Sequence, residues 1–159
     1  MMRPTTPYSA DLGDRDPLDA IRENGDRVRT LTGGWTEAQF ERSYAPGKWT
    51  ARQILTHLAQ TEMALGTRAR MALSTPDYVA QRFDQDTWIA RESRLQGPDA
   101  VAAFVALSQM NRVLFENLTP ADRQIAMAHP EYGTITVDWI VHLLAGHQIH
   151  HLRQLAAVK

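Results

Sequence analysis

The C-terminal segment decides the fold, because residues 137–157 read VDWIVHLLAGHQIHHLRQLAA. An α-helix turns by about 100° per residue, so residues three, four and seven apart share one face. One such stripe consists of Ile140, Leu144, His147, His151, Leu155 and Val158. Thr136 is a suitable N-cap for this helix. The segment is therefore predicted to be an amphipathic helix whose buried face carries two histidines.

Three earlier segments show the same periodicity, at about residues 17–31, 51–73 and 97–118. Asp16 and Pro17 begin the first, and Thr50 with Gln53 forms a capping-box signature before the second. No pair of segments reads as credible strands, although the alternation over residues 133–137 resembles a short strand. We predict an all-α fold, a four-helix bundle. The long link at 74–96 suits a crossover connection with a short helix inside it.

Composition narrows the class of protein. The 159 residues, 43% of them hydrophobic and 22% charged, predict a single domain over 1–159, with residues 1–15 as a flexible arm. A net charge of −1 argues against a nucleic-acid partner. The chain has no cysteine, which excludes thiolate ligands and a cysteine nucleophile. No apolar stretch is long enough to cross a membrane, and we see no signal peptide, so a cytoplasmic location is predicted.

The histidines suggest a metal site. His147 and His151 are four residues apart, so their imidazoles project from one helix face and can bind one ion. His57, at the edge of the apolar arc of the second helix, is the candidate third ligand. Three neutral imidazoles and a water suit zinc, nickel, iron or cobalt. Two alternatives stay open: a polar seam that fixes helix register, and a purely structural His57.

The other histidines are weaker candidates. His150 lies at the flank of the stripe, where it could act as an acid–base residue or be a simple rim residue. His142 points away from the stripe, which favours a surface or subunit contact, and His129 is predicted to lie in a loop. Gln148 stands where a zincin peptidase has glutamate, so that class is disfavoured.

Three segments together resemble the DinB/YfiT-like family of metal-binding four-helix bundles: residues 47–59, residues 129–134 and residues 147–155. The resemblance covers roughly residues 18–158. It implies an up-up-down-down bundle, often a homodimer, with a metal held by His57, His147 and His151. It also implies either thiol-dependent transfer or isomerisation, with mycothiol or bacillithiol, or metal-dependent hydrolysis.

We expect a divalent metal, zinc or nickel, to lower the pKa of a bound water or low-molecular-weight thiol that attacks a small electrophilic molecule. The interior faces of the second and fourth helices show no carboxylate near the histidines, since Glu62 is offset from His57. Hydrolysis usually needs such a base, so thiol transfer is favoured over a hydrolase. A non-catalytic metal-binding bundle is a further alternative. Side chains that could orient a substrate are Asp84, Asp86, Ser108 and Asn111.

A homodimer is also expected from the last helix. Beside the stripe that carries the histidines, it has a second apolar face, formed by Val141, Ala145, Ile149 and Leu152. A helix that is apolar over most of its circumference needs a second partner, either the first helix or another subunit.

Overall fold

The computed structural model describes residues 2–158 and confirms the four-helix bundle. Its long helices are α2 (Pro17–Thr32), α4 (Ala51–Ser74), α6 (Gly97–Glu116) and α8 (Val137–Ala156). Short helices lie before and between them: α1 (Ser9–Leu12), α3 (Glu37–Phe40), α5 (Gln85–Arg91) and α7 (Pro120–Arg123). Two strands, β1 (Ala126–His129) and β2 (Gly133–Thr136), precede α8.

Local sequence sets the starts of the long helices. The Asp16 side chain accepts hydrogen bonds from the backbone N–H groups of Leu18 and Asp19. Thr50 and Gln53 form the reciprocal capping box, and Thr136 accepts from the N–H of Trp139. These bonds satisfy N–H groups that would otherwise lack partners in the first turn. The helix starts predicted from the sequence are therefore confirmed.

The helices run up-down-down-up, which corrects the up-up-down-down order that the family resemblance implied. One apolar cluster joins the beginnings of α2 and α8 to the ends of α4 and α6, through Ala20, Ile140, Ala72 and Phe115. The second cluster joins the opposite ends of the same helices. The physical reason is the length of the links. Among the described residues, only the link at 75–96 carries the chain back along the length of the bundle. This link is therefore the crossover connection predicted from the sequence.

A short β-hairpin, which the alternation at residues 133–137 indicated only weakly, precedes α8. β1 and β2 pair antiparallel, with Met127 opposite Ile135 and His129 opposite Gly133. Met127 and Ile135 are buried and add to the core, so the hairpin is anchored by its inward side chains. The backbone N–H of Ala80 donates to the carbonyl of Ala128 (2.9 Å), which ties the crossover link to the hairpin. Four-residue strands are too short for their alternation to be distinctive.

The N-terminal segment packs on the bundle, in contrast to the flexible arm expected from the sequence; residue 1 lies outside the described residues. Arg3 donates to the carbonyls of Gly13, Asp14 and Arg15, and the indole N–H of Trp139 donates to the carbonyl of Thr5 (3.0 Å). α1 and α2 both pack on α8. They cover its second apolar face, which therefore needs no second subunit. No described helix is long and apolar enough to span a membrane.

Candidate metal centre

Three histidines meet where α4 crosses α8. His57 comes from α4, and His147 and His151 lie one turn apart on α8. The Nε2 atoms of His57 and His147 are 2.9 Å apart, and one ring nitrogen of each histidine lies within 4.8 Å of the other two. All three side chains are buried. The structure thus brings together the three residues that the sequence analysis selected as ligands.

Burial keeps the three imidazoles neutral. Desolvation, followed by repulsion from the imidazolium form of His151, lowers the pKa of His57 to about 3. Desolvation likewise lowers the pKa of His151 to about 4, and that of His147 falls well below its ordinary value. Neutral imidazoles have a free lone pair at neutral pH, which is the form that binds metals.

The protein alone leaves this cluster incompletely hydrogen-bonded. His57 Nδ1 is buried without a hydrogen-bond partner among the described residues, an arrangement that costs free energy. The facing Nε2 atoms of His57 and His147 can share only one proton. A divalent cation fits this donor set because three neutral nitrogen ligands suit zinc or nickel.

Neighbouring side chains fix the orientation of the rings. The Nδ1–H of His151 donates to Oε1 of Gln154 (2.7 Å), which leaves the lone pair of His151 on Nε2. The ring centroids of Trp49 and His57 are 4.9 Å apart, and those of Tyr8 and His147 are 5.1 Å apart. Sequence reasoning missed the role of Gln154, although its spacing of three residues from His151 was a usable signal.

A pocket of about 430 Å³ opens onto the histidines. Two helix faces form its floor: His57, Thr61, Leu65 and Arg68 of α4, and Trp139, Leu143 and His147 of α8. The crossover link supplies one wall with residues 82–86, and the hairpin supplies the other with His129, Glu131 and Tyr132. The cluster is therefore reachable by a small molecule, with two of its histidines at one end of the pocket.

The family model of the DinB superfamily matches residues 20–155. This chain belongs to the DinB superfamily. A DinB relative from Oceanobacillus iheyensis, provisionally named a metal-dependent hydrolase, is 28% identical over 76% of this chain and 70% of its own length. A relative with the same provisional name from Bacillus licheniformis is 27% identical over 82% of this chain and 76% of its own length.

Two solved structures share the fold of this DinB chain. YfiT from Bacillus subtilis, described as a probable metal-dependent hydrolase with an unusual four-helix bundle topology, superimposes with a TM-score of 0.83. The match is 19% identical and covers 99% of this chain and 90% of YfiT. A mycothiol-dependent maleylpyruvate isomerase matches with a TM-score of 0.74 and 18% identity, over 97% of this chain and 65% of the isomerase.

The remaining histidines of the DinB chain occupy different environments. His150 is beside His151, but it does not line the pocket; its Nδ1 lies 3.6 Å from the Asp11 carboxylate. His142 is buried and its Nδ1 contacts the carbonyl of Asp138 (2.9 Å), so the expected surface position was wrong. His129 ends β1 and lines the pocket, where sequence analysis had predicted a loop.

Glu62 lies inside the DinB bundle but faces away from the histidines. Its carboxylate accepts hydrogen bonds from the side-chain amides of Asn111 (2.8 Å) and Gln148, and Ser108 also bonds to Gln148. Burial raises the pKa of Glu62 to about 7. Ser108 and Asn111 thus support a buried network and do not line the pocket, contrary to the role first considered for them. Asp84 and Asp86 do line it.

Proposed function

We propose that this chain is a divalent-metal-dependent enzyme that acts on small molecules, with His57, His147 and His151 as ligands and zinc or nickel as the metal. The observation that carries the proposal is the meeting of three buried, neutral imidazoles, two of which line an accessible pocket. A bound divalent cation supplies Lewis acidity, which lowers the pKa of a coordinated water or thiol. A cytoplasmic location is part of the proposal.

Thiol transfer is the reaction we favour, with a low-molecular-weight thiol of the mycothiol or bacillithiol type. Among the described residues the candidate ligand set contains no carboxylate, and Glu62 is bonded elsewhere. A free thiol has a pKa of about 8.5, so it needs less help from a protein base than water, at about 15.7. The sulfur forms a bond to the electrophilic carbon, the leaving group departs with its electron pair, and the thiol proton passes to solvent.

Thr61 supports the use of this pocket for binding. Its hydroxyl is buried without a hydrogen-bond partner among the described residues, and the residue lines the pocket one turn along α4 from His57. A buried hydroxyl is normally hydrogen-bonded. A polar group of a bound thiol or substrate would satisfy it and hold the reacting atoms close to the histidines.

Hydrolysis is the second candidate. It is favoured by the provisional names of the relatives and by two carboxylates, Asp84 and Asp86, in the pocket wall. In that reaction, a carboxylate in the pocket wall would accept the proton of the attacking water.

The test begins with elemental analysis of protein purified without chelator and incubated with zinc or nickel. We expect near-stoichiometric metal in the wild type and in His150→Ala, and loss of metal in His57→Ala and His151→Ala. His150→Ala is the matched control because it removes the neighbouring imidazole, which does not line the pocket. If the wild type binds neither metal, the proposal fails.

The reaction is then tested with metal-loaded protein. Release of chloride from 1-chloro-2,4-dinitrobenzene in the presence of mycothiol, bacillithiol or cysteine reports thiol transfer. Cleavage of 4-nitrophenyl acetate without thiol reports hydrolysis. We expect metal-dependent acceleration of the first reaction and a loss of that acceleration in His57→Ala. Acceleration of the second reaction alone would favour the hydrolase.

A further inference from the structure

Arg68 is a buried cation at the far end of the pocket from the histidines. Only 8% of the residue is exposed, and it shares one face of α4 with His57, Thr61 and Leu65. Nη2 of Arg68 donates to the carbonyl of Gln81, and the guanidinium lies 5.7 Å from the centroid of the Phe83 ring. These contacts leave most of its five N–H donors for another partner.

No described carboxylate forms an ion pair with Arg68. Glu131, which attracts Arg68 from a distance, is itself paired with the exposed Arg82 (2.7 Å). Burial accordingly lowers the pKa of Arg68. Burying a charged group without an opposite charge is costly, so an unpaired guanidinium in a pocket wall is suited to an anion that comes from outside the protein.

His129 supplies a second donor at the same end. Its Nδ1 accepts hydrogen bonds from the backbone N–H groups of Glu131 (3.1 Å) and Tyr132 (3.3 Å), which places the proton of the neutral ring on Nε2. That Nε2–H makes no hydrogen bond to another described residue. His129 and Arg68 line the same pocket, and the positive charge of Arg68 adds to burial in lowering the pKa of His129.

Apolar side chains also line the pocket. They are Leu65 of α4 and Leu143 and Trp139 of α8. His57 and Arg68 are eleven residues apart, which is about 16 Å along the helix axis. Along α4, the pocket lining therefore runs from the candidate metal ligand His57 through Leu65 to the cation Arg68.

We propose that Arg68 and His129 form a subsite for the carboxylate, or another oxyanion, of an elongated substrate with an apolar body. The reactive carbon of that substrate would lie at the histidines, and this part of the inference rests on the proposed function. The anion subsite does not depend on a metal. Arg68 also borders a neighbouring cavity, but His129 lines only the pocket described above, which favours that side.

The experiment compares 4-phenylbutyrate with the uncharged 4-phenylbutanamide, titrated into metal-free protein. Tryptophan fluorescence reports occupancy because Trp139 lines the pocket, and the Nε–H resonances of ¹⁵N-labelled arginine report contact with Arg68. We expect the acid to bind at least about tenfold more tightly than the amide, as for a charge-assisted hydrogen bond. Arg68→Met should abolish this preference, and Arg91→Met, at an exposed position that does not line the pocket, should retain it.

Equal binding of acid and amide by the wild type, or no binding of the acid, would overturn the subsite. So would a preference for the acid that survives in Arg68→Met. Should Arg68→Met fail to fold, the wild-type comparison and Arg68→Lys, which keeps the charge, decide the question. Because the protein is metal-free, failure here is separate from failure of metal loading, which would instead overturn the proposed function.

Discussion

Gly146 of α8 lies directly against Tyr8 of the N-terminal segment. A Cβ atom at position 146 would lie 2.5 Å from the Tyr8 carbonyl oxygen and 2.7 Å from the Tyr8 Cβ. The Tyr8 ring in turn packs on His147 and lines the pocket. The position of one pocket wall therefore depends on the absence of a side chain one residue before a candidate metal ligand.

Gly146→Ala is expected to displace the Tyr8 segment from α8. The clash involves backbone, which cannot rotate away, so we expect a loss of about 1–3 kcal/mol in the free energy of unfolding. Gly25→Ala is the matched control, since Gly25 also lies within a long helix and a Cβ there meets nothing within 4 Å. The control should gain up to about 1 kcal/mol. Urea unfolding of both variants tests this, and equal stabilities would contradict it.

Gln154→Leu is expected to weaken metal binding without removing a ligand. Oε1 of Gln154 accepts the Nδ1 proton of His151, and partners of this kind typically change metal affinity by about 10- to 100-fold. Competition with a chromophoric chelator measures the affinity. Arg153→Gln, an adjacent exposed change, should bind metal like the wild type. Unchanged affinity in Gln154→Leu would show that His151 needs no orienting partner.

Metal-free protein should lose stability in mild acid because of the histidine cluster. The pKa of His57 is about 3 and that of His151 about 4 in the folded state, against 6.5 unfolded, so only the unfolded state binds protons between these values. This contribution to stability is complete above pH 6.5 and is lost as the pH falls. At pH 5 each of the two histidines should lower the free energy of unfolding by about 2 kcal/mol relative to its value above pH 6.5.

Guanidinium unfolding of the metal-free wild type and His57→Gln at pH 7 and pH 5 checks the prediction. The variant should lose less stability than the wild type on acidification because it lacks the imidazole of His57. The other titrating groups are shared by the two proteins, so their contributions cancel in the comparison. Equal losses would mean that His57 does not titrate as its burial requires.

Glu62 should act in the opposite direction. Burial raises the pKa of its carboxyl from 4.5 to about 7, so the folded state holds the proton more tightly than the unfolded state. The stability from this group is complete below pH 4.5 and is lost as the pH rises through 7. Glu62→Gln should therefore gain about 3 kcal/mol relative to the wild type between pH 4.5 and pH 8.

Thermal or denaturant unfolding across that pH range measures the gain. Glu92→Gln, at an exposed position, is the control, and its free energy of unfolding should change with pH in the same way as that of the wild type. A Glu62→Gln curve that also runs parallel to that of the wild type would indicate that the carboxyl of Glu62 is ionised at no cost inside the bundle.

The homodimer remains a proposal. The second apolar face of α8, which suggested it, is covered by α1 and α2, whereas α4 and α6 expose Met63, Met71, Met110 and Val113. Light scattering after size exclusion should give twice the 17.9 kDa chain mass. Met110→Glu should then shift the protein to monomer, because a charge in an apolar contact is costly. A monomeric wild type would exclude the dimer.

Two of the candidate ligands could be predicted from the sequence because the pattern that identifies them involves residues close together in the chain. His147 and His151 are four apart on a strongly periodic helix, so their shared face follows from helix geometry alone. His57 was a weaker inference, since its partner helix is distant in sequence. Glu62 was judged from its offset to His57, which correctly separated it from the cluster, but the offset could not reveal that it faces a buried network with Asn111 and Gln148.

The sequence by itself determined the four helices, their caps and the crossover link, because capping bonds and apolar periodicity involve residues close together in the chain. Only the tertiary structure decided that α4 and α8 cross at the histidines and that α1 covers α8. It also decided that Arg68 and His129 line the same pocket. These relationships join residues that are far apart in sequence. They depend on how side chains pack in three dimensions, which periodicity does not encode.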